Sequence, residues 1–231
     1  MTYRRLHPWN VGIARAARIQ RSLRGRLRLT PSRRGAPLSL IAGADVSYDR
    51  GSDVLYGAVV VLSYPDLAVV ETAGSVGIAR FPYVPGFLSF REIPILLRAF
   101  RKVRRRPDLI LCDGQGIAHP RGFGLASHLG LVLGLPSIGC AKSRLVGDHD
   151  EPDRARGSRS PLVHEGRVVG TVLRSREGVA PLYVSPGHRM DVESAARVVL
   201  SCCRGVRIPE PTRRAHMEVN LLRRRRAPAV A

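Results

Sequence analysis

Between residues 39 and 78 the apolar positions fall into three blocks, "SLIAGADVSY" (39–48), "VLYGAVVVLSY" (54–64) and "LAVVETAGSVGI" (67–78). Each has the length and β-branched content of one strand. The breaks between them, "DRGSD" and Pro65-Asp66, are turn sequences, so the pattern predicts an antiparallel meander. The period then changes. A helix is expected over about 89–103, and "PDLILCDG" (107–114) is a short apolar run suited to a strand buried on both faces. A helix near 122–134 and a strand "SIGCA" (137–141) follow. Beyond a polar surface loop (148–160), "LVHEGRVVGTVLRS" (162–175) reads as a hairpin turning at Glu165-Gly166. "PLYVSP" (181–186) is a further strand and "DVESAARVVLSCC" (191–203) a helix. Ahead of the strands, Ile13, Ala16, Ala17, Gln20 and Leu23 recur at helical spacing, which predicts a basic amphipathic helix over about 11–24. "TPSRRGAP" (30–37) reads as a linker and about 216–231, with "RRRR" at 223–226, as a frayed tail.

The order β-β-β-α-β-α-β predicts an α/β fold with a mixed sheet and flanking helices. Its connectivity is ribonuclease H-like, with the first and fourth strands side by side. The 231 residues and a 44% hydrophobic fraction fit a single domain spanning 1–231. No apolar run approaches the ~18 residues of a membrane helix, and "MTYRRLHPWN" lacks an apolar signal core. The expectation is a cytoplasmic protein with no membrane partner. Cys112, Cys140, Cys202 and Cys203 show no metal-ligand spacing and read as reduced thiols.

Charge changes the picture more than length does. The formal net charge is +20, and residues 1–44 hold ten arginines and no acid. Lys102 and Lys142 are the only lysines, which points to a compositional preference for arginine. Such a preference explains arginine in place of lysine but not the missing carboxylates. A polyanionic partner, nucleic acid first, is the better reading. Charge of this kind gives affinity for phosphate without sequence preference.

Against that background three acids stand out. Asp45 lies inside an apolar strand, where a lone carboxylate is costly unless it is paired or bound to a cation. Asp113 closes the strand 107–114, at the edge where open α/β sheets carry their sites. Glu92 lies on the helix between them. Singly, Asp113-Gly114 is a strand ending in a turn and Glu92 an acid favoured near a helix N-terminus. Together, three hard oxygen donors on a basic protein suit Mg²⁺. The glycines of "DGQGIAHPRGFG" (Gly114, Gly116, Gly122, Gly124) allow close backbone approach to a nucleotide, though such loops also occur without a ligand. In "FPYVPGFLSFRE" (81–92), Pro82 and Pro85 restrict the backbone around Tyr83, so its ring is presented with little entropy left to lose.

Five ordered blocks carry a family resemblance: "GADVSY" (43–48), "PYVPGFLSFRE" (82–92), "PDLILCDGQGIAHPRGFGLASHLG" (107–130), "IGCAKSRLVG" (138–147) and "YVSPGHRMDVESA" (183–195). The chain resembles endonuclease V from "LHPW" (6–9) to "RIPEPTRRA" (207–215). The resemblance implies a Mg²⁺-dependent nuclease, with Mn²⁺ able to substitute. It would nick the second phosphodiester bond 3′ to deoxyinosine or another deaminated base, leaving 3′-hydroxyl and 5′-phosphate ends. Its partner would be DNA containing such bases, or inosine-containing RNA, with no obligate protein partner. By the same resemblance Asp45, Asp113 and Glu92 are the metal-binding acids, Lys142 the catalytic lysine and His188 the histidine that positions or activates water. Pro82, Tyr83, Val84, Pro85, Gly114, Gly116, His119, Arg121 and Gly124 are nucleic-acid-binding residues. His128 is as well read as a structural histidine inside its helix. Gln115 stands in "DGQG" where histidine is a common form of the family, and a glutamine cannot transfer a proton.

Overall fold

The meander forms as its alternation dictates: β1 (Leu40–Tyr48) pairs antiparallel with β2 (Val54–Ser63), and β2 with β3 (Val69–Ile78). The computed structural model describes residues 1–31, 37–49 and 51–226. The helix α1 (Ile13–Arg24) precedes the meander and α2 (Leu88–Lys102) follows it. The chain then enters β4 (Leu109–Cys112), which runs parallel to β1 as expected. After α3 (Leu125–Leu133), β5 (Ser137–Ala141) pairs parallel with β4. The hairpin of β6 (Arg159–His164) and β7 (Arg167–Leu173) joins through β8 (Leu182–Pro186), which lies antiparallel to β5. The helices α4 (Val192–Ser201) and α5 (Glu210–Arg226) complete an eight-stranded mixed sheet of order β3-β2-β1-β4-β5-β8-β7-β6. No helix among the described residues is long and apolar enough to cross a membrane.

Period-two alternation sorts the strands into two cores. Ala42 and Ala44 of β1, Val59 and Val61 of β2 and Ile110 and Cys112 of β4 pack with Ile93 and Phe100 of α2 and Leu129 of α3. The intervening Ile41, Val60, Leu62, Leu109 and Leu111 face Val199 of α4 and Ala215 of α5. Each fully buried side chain of this size contributes about 1.5–3 kcal/mol. The four cysteines are free and buried.

The expected frayed tail is corrected here. Residues 216–226 continue α5, because Ala215 and Val219 lie one turn apart on a fully buried stripe and Leu222 extends it over Gly74. Within the expected linker, residues 32–36 lie outside the described residues, as do Arg50 of the first turn and 227–231.

Candidate active site

The parallel pairing of β1 and β4 brings two of the three acids together. Ala44 is in register with Cys112, so Asp45 and Asp113 each come one residue further along adjacent strands. The Asp113 amide donates to the Ala44 carbonyl at 3.4 Å. Alternation turns Asp45 away from the face that holds Ala44 and Cys112, toward the side covered by α5. Lys142, just past β5, donates from Nζ to Asp113 Oδ2 at 2.5 Å. On the other side Asp45 Oδ2 lies 2.9 Å from His216 Nδ1 of α5, and Asp45 Oδ1 accepts from the Val46 amide at 2.8 Å.

Glu92, one turn into α2, is buried. Burial, then the charges of Asp45 and Asp113, push its carboxyl up to about 8, with Arg91 opposing. Asp45 is raised by burial and by Asp113, against the pull of His216 and the Val46 amide. No group among the described residues hydrogen-bonds to the Glu92 carboxylate. A place where burial and neighbouring carboxylates raise the proton affinity of Asp45 and Glu92 favours a cation. Their all-oxygen donor set fits Mg²⁺. Among the described residues no group of three or more His, Cys, Asp or Glu side chains is placed so that together they could hold a metal ion, so the acids leave the arrangement open. That openness is compatible with Mg²⁺, which keeps several waters and takes one or two carboxylates plus substrate phosphate.

Glu92, Asp113 and Lys142 line one cavity of about 400 Å³, and Tyr83, Pro85, Gly114 and His119 line it with them. Tyr83 is 56% exposed, so its ring is free to meet a ligand. The loop that carries it is pinned at both ends. Buried Arg91 donates to the Phe81 carbonyl at 2.8 Å and to Asp53 Oδ1 at 3.2 Å. At the other end the Gly86 carbonyl accepts from Gln20 Nε2 (3.1 Å), His119 Nε2 (2.9 Å) and Arg121 Nη2 (2.6 Å). Gly86 has φ +78°, a left-handed conformation that a side chain would strain. Pro82 shares a second cavity with Tyr83, while Val84 packs half-buried against the cluster of Phe81 and Phe87.

Several expected site residues have other occupations. Arg121 turns inward: its Nε bonds Gln20 Oε1 at 2.5 Å and its guanidinium lies 4.0 Å over the Phe87 ring. His119 Nδ1 accepts from the Arg121 amide, which leaves Nε2–H to donate to Gly86, and burial holds its pKa down to about 4. Gly116 and Gly124 are needed for packing within the protein. A Cβ would stand 2.1 Å from the Pro186 carbonyl oxygen at Gly116 and 2.4 Å from that of Gln115 at Gly124. His128 is the structural histidine, fully buried and bonded to His7 Nε2 (2.7 Å) and Ser89 Oγ (3.1 Å). Gln115 ties the loop after β4 to Ser143 and Ser185.

His188 is not brought to the acids. Because β8 runs antiparallel to β5, the residues after Pro186 return to the start of β5, where the His188 carbonyl accepts from the Ser137 amide. Its Nδ1 accepts from the Arg28 amide at 3.4 Å, and burial followed by Arg189, Arg28 and Arg4 lowers its pKa to about 4. The imidazole at the carboxylates is His216, which the sequence reading missed. The spacing of Ala215, Val219 and Leu222 was the signal that could have placed it on a packed helix.

Residues 21–217 match the family model described as Endonuclease V. Among curated proteins, an endonuclease V of Dehalococcoides mccartyi is 50% identical over 214 residues, covering 93% of this chain and 95% of its own. One of Alkalilimnicola ehrlichii is 51% identical over 216 residues, covering 93% and 94%. The crystal structure of endonuclease V from Streptomyces avermitilis matches with a TM-score of 0.89 at 43% identity, covering 98% of this chain and 100% of that one. That of Ciona intestinalis, in complex with a 24mer DNA containing an inosine followed by a ribo-adenosine, matches with a TM-score of 0.83 at 27% identity, covering 92% and 98%.

Proposed function

Because this chain belongs to the endonuclease V family and is a nuclease, we propose that it nicks DNA at the second phosphodiester bond 3′ to deoxyinosine or another deaminated base. The observation that carries the reading is the shared cavity: the loop presenting Tyr83 and the group of Glu92, Asp113 and Lys142 line the same space. One part suits selection of a distorted base step, the other hydrolysis beside it.

Asp45 and Asp113 would hold Mg²⁺, with Glu92 as a third oxygen donor and Mn²⁺ as a substitute. Bound there, the ion supplies charge stabilisation at the phosphate and a more acidic water. Lys142 carries a compact positive charge at Asp113 and meets the scissile phosphate as charge builds on it. Glu92 accepts a hydrogen bond from the attacking water and orients it. His216 holds the Asp45 carboxylate in one orientation. Tyr83, on a loop fixed at Phe81 and Gly86, stacks in the gap left by the extruded base, and a mispaired inosine is the base most easily extruded. The cavity of about 400 Å³ falls in the range of small-ligand pockets and suits one nucleobase. Hydrolysis at a phosphodiester bond leaves the base attached to its sugar.

The test is cleavage in Mg²⁺ of matched oligonucleotides with and without one deoxyinosine, in DNA and in RNA. Cutting confined to inosine-containing DNA supports the reading. Equal cutting of both DNA substrates would sink lesion specificity. Cutting of inosine-containing RNA alone would make the protein an inosine-specific endoribonuclease.

A further inference from the structure

The arginine run at 223–226 lies beyond the part of the chain matched by the family model, which ends at 217, and α5 carries it to the mouth of the site. The helix lies directly along β1. At Gly43 a Cβ would collide with the Pro211 carbonyl, His216 meets Asp45, and two turns later Arg223 Nη1 donates to the Tyr48 carbonyl at 3.3 Å. Arg223 Nε also stands 3.9 Å from Asp49 Oδ1. The Tyr48 ring lies 6.2 Å from that of Tyr83. Both rings, with Arg80, line a second cavity of about 510 Å³ that shares Tyr83 with the first. The end of α5 therefore flanks the tyrosine loop.

The charge there is only partly neutralised, by Asp49 beside Arg223. At the start of α5, Glu210 pairs with Arg213 and Arg214, each at 2.6 Å. Arg224 and Arg225 are exposed and make no hydrogen bond or ion pair among the described residues. Successive residues on a helix point about 100° apart, so consecutive arginines cannot all face the sheet. Arg223, Arg224 and Arg225 form a positive collar around the helix end. Favourable interaction with the helix dipole accounts for a cation in the last turn, at a few tenths of a kcal/mol to about 1 kcal/mol. It does not account for a run on several faces. Guanidinium groups so placed suit phosphate, which they contact without reading sequence.

We infer that Arg223, Arg224 and Arg225 bind the phosphate backbone of the nucleic-acid flank that runs past Tyr83, a contact separate from the catalytic cavity. The inference rests on the reading of the Tyr83 loop as the element that meets the nucleic acid. It assigns the collar a share of affinity and none of the lesion preference.

The test compares the full chain with R223Q/R224Q/R225Q and with a control of equal charge loss, R104Q/R105Q/R106Q. The control arginines are exposed and lie just before β4, at the opposite end of that strand from Asp113. Binding to short duplexes with and without inosine is measured by fluorescence anisotropy in EDTA, from about 50 to 200 mM KCl. The slope of log affinity against log salt is expected to fall by roughly 2–3 in the collar variant, about 0.9 for each phosphate no longer neutralised, and by less than about 1 in the control. R223K/R224K/R225K, which keeps the charge, is expected to retain the slope. An unchanged slope in the glutamine variant, or an equal fall in collar and control variants, overturns the inference. The inosine-free duplex keeps the test independent of lesion recognition: a protein indifferent to inosine would still report whether the collar binds phosphate.

Discussion

His216 Nδ1 lies 2.9 Å from Asp45 Oδ2, joining a helix near the end of the chain to the first strand of the sheet. Asn220, one turn on, completes the arrangement with Nδ2 3.0 Å from His216 Nε2. A carboxylate held this way has one orientation available to it, and loss of such a partner typically costs roughly 10–100-fold in metal affinity or activity. His216→Ala is therefore expected to slow single-turnover nicking by that factor and to raise the Mg²⁺ concentration needed for half-maximal rate, with the circular dichroism spectrum unchanged. His188→Ala, which alters the opposite edge of the sheet, is expected to leave the Mg²⁺ midpoint where it is. The reverse pattern would restore His188 to the site.

Tyr83→Ala removes the exposed ring but no metal ligand. Stacking of an aromatic on a base contributes about 1–3 kcal/mol, so the preference for inosine-containing over undamaged DNA should fall roughly 5- to 150-fold. The Mg²⁺ midpoint should stay constant. A variant with unchanged preference would remove the tyrosine from lesion recognition.

Arg121 gives a sharper test, because charge and shape make different demands. Its fork bonds Gly86 and Gln20 while stacking on Phe87. A lysine keeps the charge but cannot satisfy all three partners at once. Arg121→Lys and Arg121→Ala are both expected to lower discrimination for inosine and to destabilise the fold by about 1–3 kcal/mol in urea unfolding. Rescue of both properties by lysine would mean that the residue acts as a phosphate contact.

Burial also fixes the response to acid. His119 is held near pKa 4 against 6.5 in an unfolded chain, so below pH 6.5 the unfolded state binds more protons. The contribution of neutral His119 is complete above pH 6.5 and declines as pH falls toward 4, by up to about 1.4 kcal/mol per pH unit. Glu92, raised to about 8, acts with the opposite sign, so the comparison must be between wild type and His119→Gln. Between about pH 6.5 and 5 the wild type should lose roughly 1–2 kcal/mol more than the variant. Parallel pH profiles would mean that His119 charges in the folded state.

What could be read from the sequence was what period and local spacing encode. The strands β1 to β5 were legible because each is a short apolar, β-branched run bounded by turn residues or by a change of period, and the parallel pairing of β1 with β4 followed from their order. That pairing alone brings Asp45 to Asp113. α5 was not legible, because its packed face is narrow, chiefly Ala215, Val219 and Leu222 among arginines, and His216 was lost with it. His188 was misplaced because a strand's direction in the sheet decides which edge its end reaches, and the antiparallel entry of β8 is a long-range fact. The props under the tyrosine loop were hidden for the same reason, since Arg121 and Gly86 are 35 residues apart.

The central claim is that Asp113, beside Asp45 at the end of two parallel strands, belongs to the site that cuts next to the base selected by the Tyr83 loop. The measurement that tests it most directly is single-turnover nicking of an end-labelled, inosine-containing strand across a Mg²⁺ titration, by wild type and by Asp113→Ala. The wild type is expected to give one product, ending at the second phosphodiester bond 3′ to inosine. Asp113→Ala is expected to bind the same duplex and give no product at any Mg²⁺ concentration. The same product formed by Asp113→Ala at a comparable rate would contradict the account.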